Sequence, residues 1–308
     1  MDLVDDVADL WAIFGDAGPE LLEAAATARP AVLRNAVARP EALFSWSRLN
    51  AVLRADELDW VHPHAEGGGL RHRLALFRGG KAVDPASLFR RQLSPRQQPT
   101  YAVDPGLLAA ELRQGGTFVV RDLDREDPEV LAVAEALEAV FRAPVMGGVF
   151  ASWGDETGFD LHWDGMDNVA IQVAGRRHWT LWAPSSPDPV AGMSFHPPEG
   201  PGDLSVTLHA GDALFFPRGW WHRPEGEGEP AMHLTFGIYR RTGLDLVRWL
   251  CDQATVGDDG TITFTRDLRA LGAGIVDEYL GSDDGRPLRN RVTFGLPALA
   301  DTGSSGGG

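Results

Sequence analysis

The stretch Asn168-Val169-Ala170-Ile171-Gln172-Val173-Ala174-Gly175-Arg176-Arg177-His178-Trp179-Thr180-Leu181-Trp182 reads as two strands joined by a tight turn. Asn168 to Val173 and Arg177 to Trp182 are rich in β-branched and aromatic residues, and Gly175 punctuates them. The same pattern continues on both sides. Val145 to Trp153 precedes it, and Leu204 to Leu208, Ala213 to Phe216 and Met232 to Tyr239 follow. Between these runs lie turn signals: a proline-rich loop from Pro184 to Pro201, Ala210-Gly211-Asp212, Pro217-Arg218-Gly219 and Glu225-Gly226-Glu227-Gly228. Short strands at such regular spacing predict an antiparallel sandwich or barrel.

The flanks have a different character. Residues 1–115 read as mixed and mostly helical, a region packing on the barrel. Val4 to Phe14, Pro19 to Ala26 and Pro40 to Leu53 have helical spacing, and Leu70 to Phe77 alternates weakly as a strand. Asp104-Pro105 opens a helix with Asp104 as N-cap, and Asp127-Pro128-Glu129 caps another that runs to Phe141. The barrel core is expected over 116–240. A helical segment over 241–301 follows, with helices at Leu244 to Ala254 and Arg266 to Leu280, and a disordered Ser/Gly tail at 302–308. The fold class is therefore mainly β with flanking helices (α+β).

Composition narrows the chemistry. The 308 residues suffice for a substantial core, and a hydrophobic fraction of 44% is ordinary for a globular chain. A single cysteine, Cys251, excludes an intramolecular disulfide and a thiolate cluster, so any metal must be held by histidine and carboxylate. The net charge of −16 opposes binding to phosphate backbones, which makes nucleic acid a poor partner. The first twenty residues carry five aspartates and no basic residue, the wrong charge for a presequence, and no apolar run is long enough to span a bilayer. A cytoplasmic protein is the default expectation.

Within the strand-rich region, Phe159-Asp160-Leu161-His162-Trp163-Asp164 stands out. Side chains alternate along a strand, so His162 and Asp164 would share a face. His222, in Phe216-Pro217-Arg218-Gly219-Trp220-Trp221-His222, is the candidate for a third ligand. Two histidines and one carboxylate on one octahedral face leave three positions open, which suits Fe(II) that must bind a cosubstrate and O₂. A bare His-x-Asp equally suits a surface histidine beside a turn aspartate; the joint pattern with the downstream strand and turn lifts it above that reading. His62-Pro63-His64-Ala65-Glu66 also offers metal-binding types, but Pro63 and Gly67-Gly68-Gly69 make it a loop, and it reads as surface. His178, His196, His209 and His233 read as structural or exposed, and Trp220 and Trp221 as packing first and site walls second.

These motifs resemble the Jumonji-C (JmjC) oxygenases, most closely the bacterial branch related to ribosomal oxygenases. The resemblance runs from about 116 to 239 and rests on His162-Trp163-Asp164, on Gln172 through Trp179, and on Gly211-Asp212 through His222. It implies a double-stranded β-helix of the jelly-roll or cupin type, with Fe(II) held by His162, Asp164 and His222. It further implies 2-oxoglutarate as cosubstrate, consumed with O₂ to give succinate and CO₂. Arg177, fifteen positions after His162, stands where the family places the cation for the distal carboxylate; a guanidinium fits because its planar fork binds carboxylates bidentately. Asn168 and Ser152 match places where relatives bind the cosubstrate. In that branch a helical dimerisation segment and a winged-helix-like domain follow the barrel. Only 68 residues follow Arg240, so a full winged helix is not expected, while a homodimer through the C-terminal helices is compatible. The implied activity is hydroxylation of a protein or peptide side chain, with a ribosomal protein as the family-based substrate. The alternatives are the same chemistry on a peptide natural product or small metabolite, and a non-catalytic metal-binding cupin-like module.

Overall fold

The computed structural model describes residues 3–54, 73–93, 97, 99–155, 158–187, 189, 194–252, 254–256 and 262–264. The expected helix at Arg266 to Leu280, the His62 to Glu66 motif and the C-terminal tail lie outside the described residues. Two units are present: residues 1–140 with 145–238, and residues 141–144 with 239–308.

In chain order the larger unit begins with α1 (Leu3–Phe14), α2 (Gly18–Thr27), β1 (Ala31–Leu33), α3 (Pro40–Leu43) and α4 (Trp46–Arg54). Next come β2 (Leu74–Arg78), β3 (Lys81–Val83), β4 (Phe89–Leu93), β5 (Pro99–Val103), α5 (Pro105–Arg113), β6 (Thr117–Val120) and α6 (Pro128–Phe141). The strands that carry the site are β7 (Val145–Ser152), β8 (His162–Trp163), β9 (Asp167–Ala174), β10 (Arg176–Trp182), β11 (Leu204–His209), β12 (Ala213–Phe216), β13 (Trp221–Glu225) and β14 (Ala231–Ile238). Together with β1, β2, β3 and β6 they form an antiparallel eight-stranded sheet, β1-β12-β9-β14-β7-β6-β2-β3, and a four-stranded sheet, β11-β10-β13-β8. The larger sheet is buried on both faces along β9 and β12, because its outer side is covered in part by α2 against β12 and α3 against β9. This is a double-stranded β-helix with flanking helices.

Local chemistry explains the helix starts. The Asp104 carboxylate accepts from the N–H groups of Gly106 and Leu107, and Asp127 does the same for Glu129 and Val130. Asp127 also takes a two-pronged ion pair from Arg48 at 2.5 and 2.8 Å, which ties α4 to the start of α6. The single helix expected over Pro40 to Leu53 is instead two, broken where Phe44 turns extended (φ −158°, ψ 149°) and drops its ring, 0% exposed, into the core. The region before residue 116 also supplies β1, β2 and β3 to the main sheet; β2 falls largely within the strand read at Leu70 to Phe77, whereas β1 and β3, three residues each, are too short to be legible. In the smaller unit Thr242 and Asp245 cap each other reciprocally at the start of α7 (Gly243–Asp252). The helix stops at Asp252 rather than Ala254, because residues 254–256 pair as β15 (Ala254–Val256) with β16 (Ile262–Phe264).

The turn between β11 and β12 is held by Asp212. Its carboxylate accepts from the N–H groups of Asn35 (2.9 Å) and His209 (3.1 Å) and from Arg34 (2.6 Å). Burial alone would raise its pKa, but those donors together hold it below the ordinary carboxylate value. A depressed folded-state pKa means stability that is present above about pH 4 and lost as pH falls through the depressed value. Asp212→Ala is therefore expected to lower unfolding free energy by about 2–3 kcal/mol at neutral pH. The deficit should shrink in acid, as read by urea denaturation at pH 7 and pH 3.

Candidate metal centre

β8 is only two residues long, yet it sets the site. It pairs with β13 so that His162 lies directly opposite His222, and opposed residues of an antiparallel pair share a face. Their ring centroids are 4.2 Å apart. Nδ1 of His162 lies 2.8 Å from the carbonyl oxygen of Asp160, and Nδ1 of His222 lies 3.1 Å from that of Trp220. Each Nδ1–H thus donates to a backbone carbonyl, which leaves the Nε2 lone pairs for a metal. Asp164 follows one residue after β8, with its Oδ2 3.6 Å from His222 Nε2. The potential ligand atoms of His162, Asp164 and His222 all lie within 4.8 Å of one another, the single such group among the described residues.

The backbone holds these segments together. The Gly219 N–H donates to the Asp164 carbonyl at 2.9 Å, so the turn that delivers His222 is tied to the residue that delivers the carboxylate. That turn requires glycine: φ is +82°, and a Cβ would come within 2.1 Å of Pro189 Cγ. Asn168 donates its amide to Asp164 Oδ2 at 3.1 Å and orients the carboxylate.

Burial tunes the charges. The pKa of His222 is pushed down to about 4, chiefly by burial and then by the charge of His162, against the opposing pull of Asp164 and the Trp220 carbonyl. A neutral imidazole is the form that binds metal. Arg177 is 1% exposed, and burial lowers its pKa to about 10, so it remains a cation at neutral pH. It donates to the Ser152 hydroxyl across the barrel, while its Nε has no partner among the described residues.

Inner faces of both sheets meet at one cavity of about 400 Å³, its mouth included. Phe150, Asn168, His233 and Thr235 line it from the large sheet, and His162, Arg177, Trp179, His222 and Pro224 from the small one. The structure thus brings five of the six residues singled out in the sequence to this cavity, with Ser152 behind it in contact with Arg177. Trp179 and Phe216 form walls, whereas Trp220 and Trp221 do not line it; Trp221 is buried and donates to the Ser185 hydroxyl. His233, read from sequence as structural or exposed, is 2% exposed and lines the cavity. Strand alternation was the available signal: His233 and Thr235 share a face of β14, opposite the apolar Met232, Leu234 and Phe236. His178 is bonded to Thr207 and Ser205, away from the cavity.

Two antiparallel sheets around a cavity lined by two histidines and a carboxylate define a cupin-type fold with a facial-triad arrangement. Residues 125–246 match the family model for the JmjC domain. Over 120 residues the chain is 31% identical to ribosomal oxygenase 1 of Danio rerio, a match covering 36% of this chain and 22% of that one. Over 151 residues it is 28% identical to ribosomal oxygenase 1 of Rattus norvegicus, covering 46% and 25%. The bifunctional lysine-specific demethylase and histidyl-hydroxylase NO66 of Aedes aegypti is 30% identical over 120 residues, covering 37% and 19%. The matches therefore span a quarter or less of these curated relatives. Among solved structures, ycfD of Escherichia coli is similar at 18% identity and a TM-score of 0.47, covering 92% of this chain and 64% of that one. Among the described residues no helix is long and apolar enough to cross a membrane.

A divalent metal held by this triad should be lost in His222→Ala. Asn168→Ala, which only frees the carboxylate to rotate, should weaken Mn(II) affinity about tenfold. Calorimetric Mn(II) titration of both variants checks this, and unchanged affinity in Asn168→Ala would show that the amide does not orient a ligand.

Proposed function

We propose that this chain is an Fe(II)- and 2-oxoglutarate-dependent dioxygenase that hydroxylates a protein or peptide side chain. The observation that carries this reading is Arg177: a buried cation facing the same cavity as the triad, with no carboxylate partner among the described residues. An unpaired charge in an apolar interior costs several kcal/mol. A binding module that merely retained a metal would have no use for it, whereas a dicarboxylic cosubstrate would neutralise it.

The residues present fit the group. His162, Asp164 and His222 would hold Fe(II), a donor set of two imidazoles and one carboxylate suited to it. With 2-oxoglutarate and O₂, the metal supplies oxidative decarboxylation of the keto acid to succinate and CO₂, coupled to hydroxylation of a C–H bond. The chain supplies position and surroundings. Arg177 and Ser152 would receive the distal carboxylate, Asn168 would keep Asp164 aimed at the metal, and Phe150, Phe159, Trp179 and Phe216 would exclude water. No side chain is required to act as a nucleophile. The names of the sequence relatives, ribosomal oxygenase and histidyl-hydroxylase, support a ribosomal protein as substrate. A basic segment suits a chain of net charge −16.

The test is turnover of 2-oxoglutarate to succinate with Fe(II), first alone and then with ribosomal proteins followed by mass spectrometry for a gain of one oxygen. Arg177→Ala should raise the apparent KM for 2-oxoglutarate about 10- to 100-fold, the loss of a charge-assisted contact. No succinate from the wild type under either condition would overturn the reading.

A further inference from the structure

His233 sits in the middle of β14, opposite Phe150 on β7 and Gln172 on β9. Its ring lies nearly parallel to Phe150, with 5.0 Å between centroids and 6° between planes, and meets the edge of Trp179 at 5.3 Å. Two aromatic neighbours thus fix the plane of the imidazole. The β14–β9 register shifts between Met232 and His233, and such irregularities re-aim a side chain out of the regular ladder.

Held so firmly, the ring nevertheless lacks a polar partner. Its Nδ1 is buried without a hydrogen bond among the described residues, although buried polar atoms are nearly always paired. Two neighbours on the cavity share that condition, Arg177 Nε and Trp179 Nε1. Unmatched nitrogens on three residues of one cavity are what an acceptor-rich ligand would satisfy. Burial, and then the charge of Arg177, hold the His233 pKa well below its ordinary value, so the ring is neutral and either nitrogen can carry its proton.

We propose that His233 is a ligand-contact residue for the acidic cosubstrate, its imidazole donating from Nδ1 to the ligand beside Arg177. It adds a directional contact without adding a second positive charge. The inference rests on the 2-oxoglutarate reading of this cavity.

Two substitutions separate the nitrogen from the ring. His233→Phe keeps the stack on Phe150 and removes both nitrogens. His233→Asn gives up the stack and retains an amide near the position of Nδ1. Binding of 2-oxoglutarate to the full chain loaded with Mn(II), measured by calorimetry under nitrogen, should weaken about tenfold or more in His233→Phe. In His233→Asn it should stay within about threefold of wild type, and Mn(II) affinity should be unchanged in both. If the order is reversed, or the two variants lose affinity equally, His233 is a packing residue and the proposal is overturned. If both bind as the wild type does, the contact does not exist. A wild type that binds no 2-oxoglutarate would instead sink the cosubstrate reading itself, so the two failures are distinguishable.

Discussion

The burial of Arg177 is the constraint on which the site depends. A guanidinium with 1% exposure has lost nearly all its water, and its one hydrogen-bond partner among the described residues is the neutral hydroxyl of Ser152. Such a charge is tolerated only where the surrounding core over-determines it, and here it is wedged between two sheets rich in fully buried Val, Leu, Ile and Phe. Because Arg177 belongs to β10 and Ser152 to β7, the contact crosses from the small sheet to the large one and fixes their inner faces against each other. The overall charge of −16 thus coexists with a cation enclosed in the core.

Sheet order converts that constraint into a graded cavity. In the small sheet β13 lies between β10 and β8, so His222 stands between Arg177 and Trp179 on one side and His162 on the other. Arg177, Trp179 and Leu181 alternate onto the face shared with His222, because Leu181 is opposite His222 in the β10–β13 ladder. The metal-ready groups are half-exposed at His162 and Asp164, while the cation is fully enclosed. A ligand with a carboxylate at one end and a chelating group at the other matches that gradient without any rearrangement of the strands.

Much of this was legible in the sequence, and the reasons are specific. Strands β7, β9, β10 and β14 are seven or eight residues long, β12 is a short wholly apolar run, and glycine or proline ends most of them, so their patterns survive any packing. Asp104 and Asp127 are legible as caps because capping is local. What stayed hidden depends on distant partners. β1 is three residues that become a strand only by pairing with β12, and the helix expected from Pro40 breaks because Phe44 finds a core pocket. Asn168 was visible as a polar residue near the site, but its bond to Asp164 depends on where the chain turns after β8. His233 read as structural or exposed because a lone histidine in an apolar strand is usually structural, and its place on a cavity requires β7, β9 and β14 to be assembled first.

The neutrality of the histidines completes the electrostatic logic. Burial keeps His222 and His233 uncharged at neutral pH, the one by a pKa of about 4 and the other by a pKa well below its ordinary value. On the proposed function, a ferrous ion brings two positive charges, Asp164 cancels one and Arg177 restores one. The cavity then carries the charge complementary to a dicarboxylate, and the complex is neutral as a whole. A protonated His233 would unbalance that sum in a low-dielectric interior, where each unmatched charge costs most. Burial of an aromatic nitrogen base is thus a way to furnish a hydrogen bond while leaving the charge of the pocket unchanged. This explains why a histidine, rather than a second arginine or lysine, can stand beside Arg177.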